Sequence, residues 1–119
     1  MTQMNRLVGG FGECAAARYL VGQGLTLLDR NWLGPDGELD LVLRDGPDLV
    51  VGEVKTRRTA GFGLPVEAVG PAKARRLRRL AVQWLRGTRV FRPRDVRFDV
   101  VSVVLRDRQP RVEHLVRAF

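Results

Sequence analysis

Two carboxylates and an ammonium, Asp40, Glu53 and Lys55, stand inside stretches that otherwise read Leu-Val-Leu and Leu-Val-Val. Charge in such runs is costly unless it has a partner or a task. Asp40 belongs to residues 38–44 (ELDLVLR), and Glu53 and Lys55 to residues 49–55 (LVVGEVK). The turn cluster DGPD at 45–48 separates them, so the two runs form a β-hairpin. With Arg44 facing Leu49, Asp40 comes opposite Glu53 and Glu38 opposite Lys55. Asp40, Glu53 and Lys55 then share a face, and a slip of one residue would scatter them.

Carboxylates brought together on adjacent strands repel, and a divalent cation relieves the repulsion. Mg²⁺ or Mn²⁺ would suit: Mg²⁺ takes oxygen ligands and keeps several waters, so Asp40, Glu53 and the Val54 carbonyl suffice on the protein side. Such an ion polarises a phosphate and acidifies a bound water. Lys55 can orient that water or stabilise charge on the phosphate in the transition state. Taken alone, an acid-x-Lys step reads as a surface ion pair. The apolar context moves the balance toward a site.

Other elements must position this hairpin. Between Asn5 and Val21 the residues Leu7, Phe11, Cys14, Ala15 and Tyr19 recur at helical spacing, and Gly22 and Gly24 end the helix. Gly9-Gly10 weakens its first turns, so its ordered part is expected to start later. Glu13 lies on another stripe with Ala16, Ala17 and Leu20; by itself it reads as an acid favouring the helix dipole. Leu25 to Trp32 reads as a strand closed by the turn GPDG at 34–37. Thr56 to Gly70 reads as a mobile loop with a helical turn at Val66–Val69, carrying Glu67 as a solvated side chain. Pro71 opens a second helix whose apolar stripe is Leu77, Leu80, Ala81, Trp84 and Leu85. Val96 to Leu105 is nearly all apolar, a strand buried on both faces. Residues 111–119 form a closing element of undecided type. Asp99 reads as the partner of an arginine, His114 as a structural residue, and Trp32 and Trp84 as core. The economical packing is one α/β domain, residues 1–119, with a single mixed sheet flanked by helices.

The charge points to a polyanionic partner. The 119 residues carry 21 Lys and Arg against 13 Asp and Glu, a net charge of +8. Residues 1–70 hold seven basic and nine acidic side chains, and residues 71–119 hold fourteen and four. Lys73, Arg75, Arg76, Arg78, Arg79, Arg86, Arg89, Arg92 and Arg94 crowd one stretch that contains no acid. Nucleic acid is the expected partner, held by its backbone and shape, since no base-reading motif accompanies the arginines. Lys73, in the first turn of the second helix, is expected to contact phosphate. Of the 21 basic residues only Lys55 and Lys73 are lysine, the choice where a compact ammonium must fit beside a metal or a water. The single Cys14 makes no internal disulfide and reads as a small buried side chain in a reducing compartment. No apolar run approaches the length of a bilayer, and the first residues show no signal-peptide stretch. A cytoplasmic address with no membrane association is expected.

The segments GFGECAAARYLVGQGLTLLDRNW, GELDLV, VVGEVKTR, PVEAVGPAKARRL and RFDVVSV, in that order, resemble the YraN family of small bacterial proteins. That family is similar in turn to archaeal Holliday-junction resolvases and to the wider PD-(D/E)xK nucleases, with their restriction-endonuclease-like α/β fold. The resemblance implies Asp40 and Glu53 as metal carboxylates, Lys55 as the catalytic lysine, and Glu13 as the helix glutamate completing the site. It implies a Mg²⁺- or Mn²⁺-dependent endonuclease, selective for structure rather than sequence, with DNA favoured over RNA and a homodimer as the working form. Leu39 stands where the motif has proline, a position without chemical duty. A non-catalytic nucleic-acid-binding protein that keeps the fold is the alternative.

Overall fold

A computed structural model describes residues 3–58, 69–88, 92–105 and 109–119, with side chains from Gly10 onward. Helix α1 (Gln3–Gly22) is followed by strands β1 (Thr26–Gly34), β2 (Gly37–Asp45) and β3 (Asp48–Arg57), helix α2 (Pro71–Arg86), and strands β4 (Asp95–Val104) and β5 (Arg111–Leu115). The five strands form one mixed sheet in chain order, antiparallel except where β3 and β4 run parallel. That parallel step needs a crossover, which α2 supplies. This is the restriction-endonuclease-like α/β arrangement.

The helices cover opposite faces. Ala16, Ala17 and Leu20 of α1 pack with Leu41, Leu43, Val50, Val101 and Val103. Leu77, Leu80, Ala81 and Trp84 of α2 pack with Leu39, Val42, Leu49, Val51 and Phe98, and Trp32 leans on the same cluster. Strands β2 and β3 thus bury apolar side chains on both sides, as their unbroken Leu and Val runs require. Among the described residues no helix is long and apolar enough to cross a membrane.

The first helix departs from its expected orientation. Phe11 is 67% exposed, and Cys14 is exposed rather than buried. The face turned to the sheet is the small-residue stripe that carries Glu13. Gly12 explains the choice: a methyl group there would overlap the Thr56 side chain on β3. Glycine and alanine let the helix axis come close to the sheet, whereas Phe11 and Tyr19 would hold it off. The helix also runs from Gln3 straight through Gly9-Gly10 instead of starting after them; glycine weakens a helix but leaves its hydrogen-bond ladder intact.

Smaller differences follow from register. Strand β3 continues through Arg57, so the loop expected from Thr56 begins later. Most of that loop, with Glu67 and the turn expected at 66–69, lies outside the described residues. The closing element is β5, antiparallel to β4.

Candidate active site

The hairpin register from Asp45↔Asp48 to Leu41↔Gly52 is the one the apolar pattern predicts. The ladder stops one step before the expected Asp40–Glu53 pair, and Glu38 pairs instead with Leu33 on β1. At Asp40 the alternation of β2 slips: Leu39 packs toward α2 and Leu41 toward α1. The Asp40 side chain takes over the strand's task, its Oδ2 accepting the Val54 backbone N–H at 2.8 Å. Asp40 therefore reaches across the gap between strands rather than standing on the face that it was expected to share with Glu53 and Lys55.

Three carboxylates influence one another here. Burial of Asp40, and then the negative charge of Glu53, push its carboxyl up from the usual value to about 7, with Glu13 adding to the rise. The Val54 N–H and the Lys73 ammonium pull the other way. Glu13 is also raised, first by burial and then by Glu38 and Glu53, against an Asn31 hydrogen bond and the charge of Arg30. Asn31 has φ +52, a left-handed conformation that asparagine tolerates better than most residues. Its part beside Glu13 was not legible in the sequence, where only its residue type hinted at an unusual backbone. Arg30 lies 3.8 Å from Glu13.

Glu53 is nearly buried, and its Oε1 lies 2.6 Å from the Lys73 ammonium of α2. Lys73 was expected to face phosphate; in the structure it neutralises a carboxylate. Lys55, two residues beyond Glu53 on β3, is exposed. Among the described residues no three Asp, Glu, His or Cys side chains already converge at ligand spacing. The donor set nevertheless suits a hard dication: it is all oxygen and partly desolvated, with Asp40, Glu53 and Glu13 facing the two cations Lys73 and Arg30.

The arginines divide. Arg75, Arg76, Arg78, Arg79 and Arg86 line the exposed side of α2, a row that starts beside Lys73 and runs roughly 20 Å at 1.5 Å per residue. Arg78 lies over the rings of Phe98 and Phe119 at 5.2 and 5.7 Å, and Arg79 is 3.7 Å from Asp36. Arg92 is exposed. Arg94 pairs with Asp48 at 3.1 Å, at the opposite end of β3 from Glu53 and so roughly 16 Å from the carboxylates. Arg89 lies outside the described residues.

Asp99 and His114 form a separate cluster on the α1 face of the sheet. Asp99 is fully buried and accepts from Arg97 Nε at 3.0 Å, Arg97 Nη2 at 3.0 Å and the Arg117 backbone N–H at 3.0 Å. His114 Nε2 lies 2.6 Å from Asp99 Oδ2. The expected arginine partner is thus found, with a histidine added.

The electrostatics of Asp40 predict a pH profile. A carboxyl raised in the folded state disfavours folding once it ionises, so stability falls as pH rises from its unfolded value near 4 through about 7. Asp40→Asn keeps an acceptor for Val54 but removes the charge. Without metal, the variant should match wild type at pH 4 and melt higher at pH 8, by at most about 4 kcal/mol. Urea melts across that range, in chelator, check the sign; a variant less stable at pH 8 would contradict it.

Comparison with known proteins matches residues 12–103 to the Uncharacterised protein family UPF0102. A UPF0102 protein of Nocardioides sp. is 53% identical over 85% of this chain and 81% of its own length. One from Rhodococcus opacus is 48% identical over 97% and 98%, and one from Frankia alni 54% identical over 94% and 93%.

Proposed function

The chain belongs to the UPF0102 family, the YraN family that its sequence resembles, and within that family we propose that it is a metal-dependent endonuclease acting on DNA through structure rather than sequence. The observation that carries this reading is the group of acids, Asp40, Glu53 and Glu13, gathered where β2 parts from β3. The Val54 hydrogen bond could be made by a neutral side chain, whereas a buried Asp40 close to Glu53 and Glu13 costs stability once ionised, and such a cost is common where acids serve a site.

Asp40, Glu53 and Glu13 would hold Mg²⁺ or Mn²⁺, which when bound supplies polarisation of the scissile phosphate and a more acidic water. The chain's own residues do the rest. Val54 N–H fixes the Asp40 carboxylate through Oδ2. Lys55, exposed two residues beyond Glu53, would supply an ammonium for the charge that grows on the phosphate. The row on α2 holds the nucleic-acid backbone, with Arg75, Arg76, Arg78, Arg79 and Arg86 exposed along one helix that begins at the site. Arg92 and Arg94, farther along, would extend that contact.

The test is cleavage of single-stranded, flapped and four-way-junction DNA with Mg²⁺ or Mn²⁺, beside Lys55→Ala. Binding is checked separately. Reversing Arg75, Arg76, Arg78 and Arg79 to glutamate should weaken all DNA sequences alike and flatten the salt dependence, each lost phosphate contact lowering the slope by about 1. Unchanged affinity in fluorescence anisotropy would make the row a solvated face. Binding without cleavage on every substrate would favour the non-catalytic alternative.

A further inference from the structure

Lys73 occupies a place that helix physics disfavours. It stands in the first turn of α2, where the backbone dipole repels cations, and that turn contains no acid and no side-chain cap. Its partner lies outside the helix. Glu53 Oε1 is 2.6 Å away, with side-chain exposures of 37% for Lys73 and 12% for Glu53. The lysine is thus the accessible half of the pair and the carboxylate the fixed half. Around Asp40 stand Glu53 and Glu13, each with a cation of its own, Lys73 beside Glu53 and Arg30 3.8 Å from Glu13, so an entering metal ion must take the place of a counter-ion already there.

We propose that Lys73 is an exchangeable counter-ion of Glu53: a divalent cation displaces its ammonium, which then binds a phosphate of the nucleic acid. The proposal rests on the nuclease reading above and adds a coupling to it. Without metal, the ammonium holds the Glu53 carboxylate and is withheld from DNA. With metal, Glu53 is neutralised from another side, and Lys73 is released at the start of the arginine row. Metal and DNA thereby favour each other through one side chain, and the coupling is reciprocal.

The experiment uses the whole chain. Mn²⁺ binding is measured by calorimetry for wild type, Lys73→Met and Lys73→Gln. Binding of a short single-stranded DNA is measured by anisotropy in chelator and in Ca²⁺. Removing the competitor should tighten Mn²⁺ binding by about fivefold, the size expected when a partly exposed ion pair no longer has to be broken. DNA affinity in chelator should be unchanged in both variants, whereas the gain on adding Ca²⁺ should shrink by about fivefold relative to wild type. Mn²⁺ affinity that is unchanged or weaker in both variants overturns the proposal, as does an equal loss of DNA affinity with and without Ca²⁺. If wild type binds no Mn²⁺, the nuclease reading falls with it. If wild type binds Mn²⁺, Asp40→Asn abolishes binding and the Lys73 variants change nothing, the exchange alone fails.

Discussion

Lys55→Ala should lose about 10²- to 10³-fold in single-turnover cleavage while the protein folds and binds Mn²⁺ as before, because removing one preformed charge stabiliser costs about that much. The separation of effects follows from position. Lys55 is exposed on β3, and exposed substitutions away from special features change stability by about 0.5 kcal/mol or less. Asp40→Asn and Glu53→Gln should behave differently, losing cleavage and metal affinity together. The wild-type melting temperature should rise with millimolar Mn²⁺ by mass action on the native state, and that rise should vanish in the two carboxylate variants. A Lys55→Ala protein that cleaves at the wild-type rate would remove lysine from the chemistry. A melting curve indifferent to cation would remove the metal.

The largest effect on stability belongs to the other face of the sheet. Asp99→Ala should destabilise the fold by about 3–5 kcal/mol, the cost of leaving a buried charge without its partner. Arg97 would lose its three bonds to Asp99 and keep Asp45 Oδ2 at 2.9 Å, and the Arg117 N–H would lose its acceptor. Domains of this size have about 5–15 kcal/mol in hand, so the variant sits near the edge of folding. A double replacement, Asp99→Leu with Arg97→Met, should recover part of the loss, since removing both ions removes the unmet desolvation. Urea unfolding midpoints measure both. A loss of under 1 kcal/mol in Asp99→Ala would mean that solvent reaches the cluster and screens it.

The separation of Asp99 from the Glu53–Lys73 pair by the sheet has a practical consequence. Asp99, His114 and Arg97 lie with α1, whereas Glu53 meets Lys73 on the α2 side. Asp99→Ala should therefore lower activity only as far as it lowers the folded fraction. Lys55→Ala should do the reverse.

Much of this protein was legible in its residues because short-range rules wrote it. Apolar runs around DGPD set the hairpin and its register, since a slip would turn every side chain to the wrong face. Pro71 and the Leu77–Trp84 stripe set α2, and the family resemblance is borne out by the match over 12–103. Distance along the chain decided the rest. Which stripe of α1 faced inward depended on how closely the helix could approach Thr56, a fact about Gly12 that periodicity does not carry and that counts against larger residues such as Phe11. The pairing of Lys73 with Glu53 joins residues separated by a crossover, so no local pattern announced it. The turning of Asp40 into the strand gap, to meet the Val54 N–H, arises where β2 leaves β3 for β1, and only the sheet decides where that parting falls.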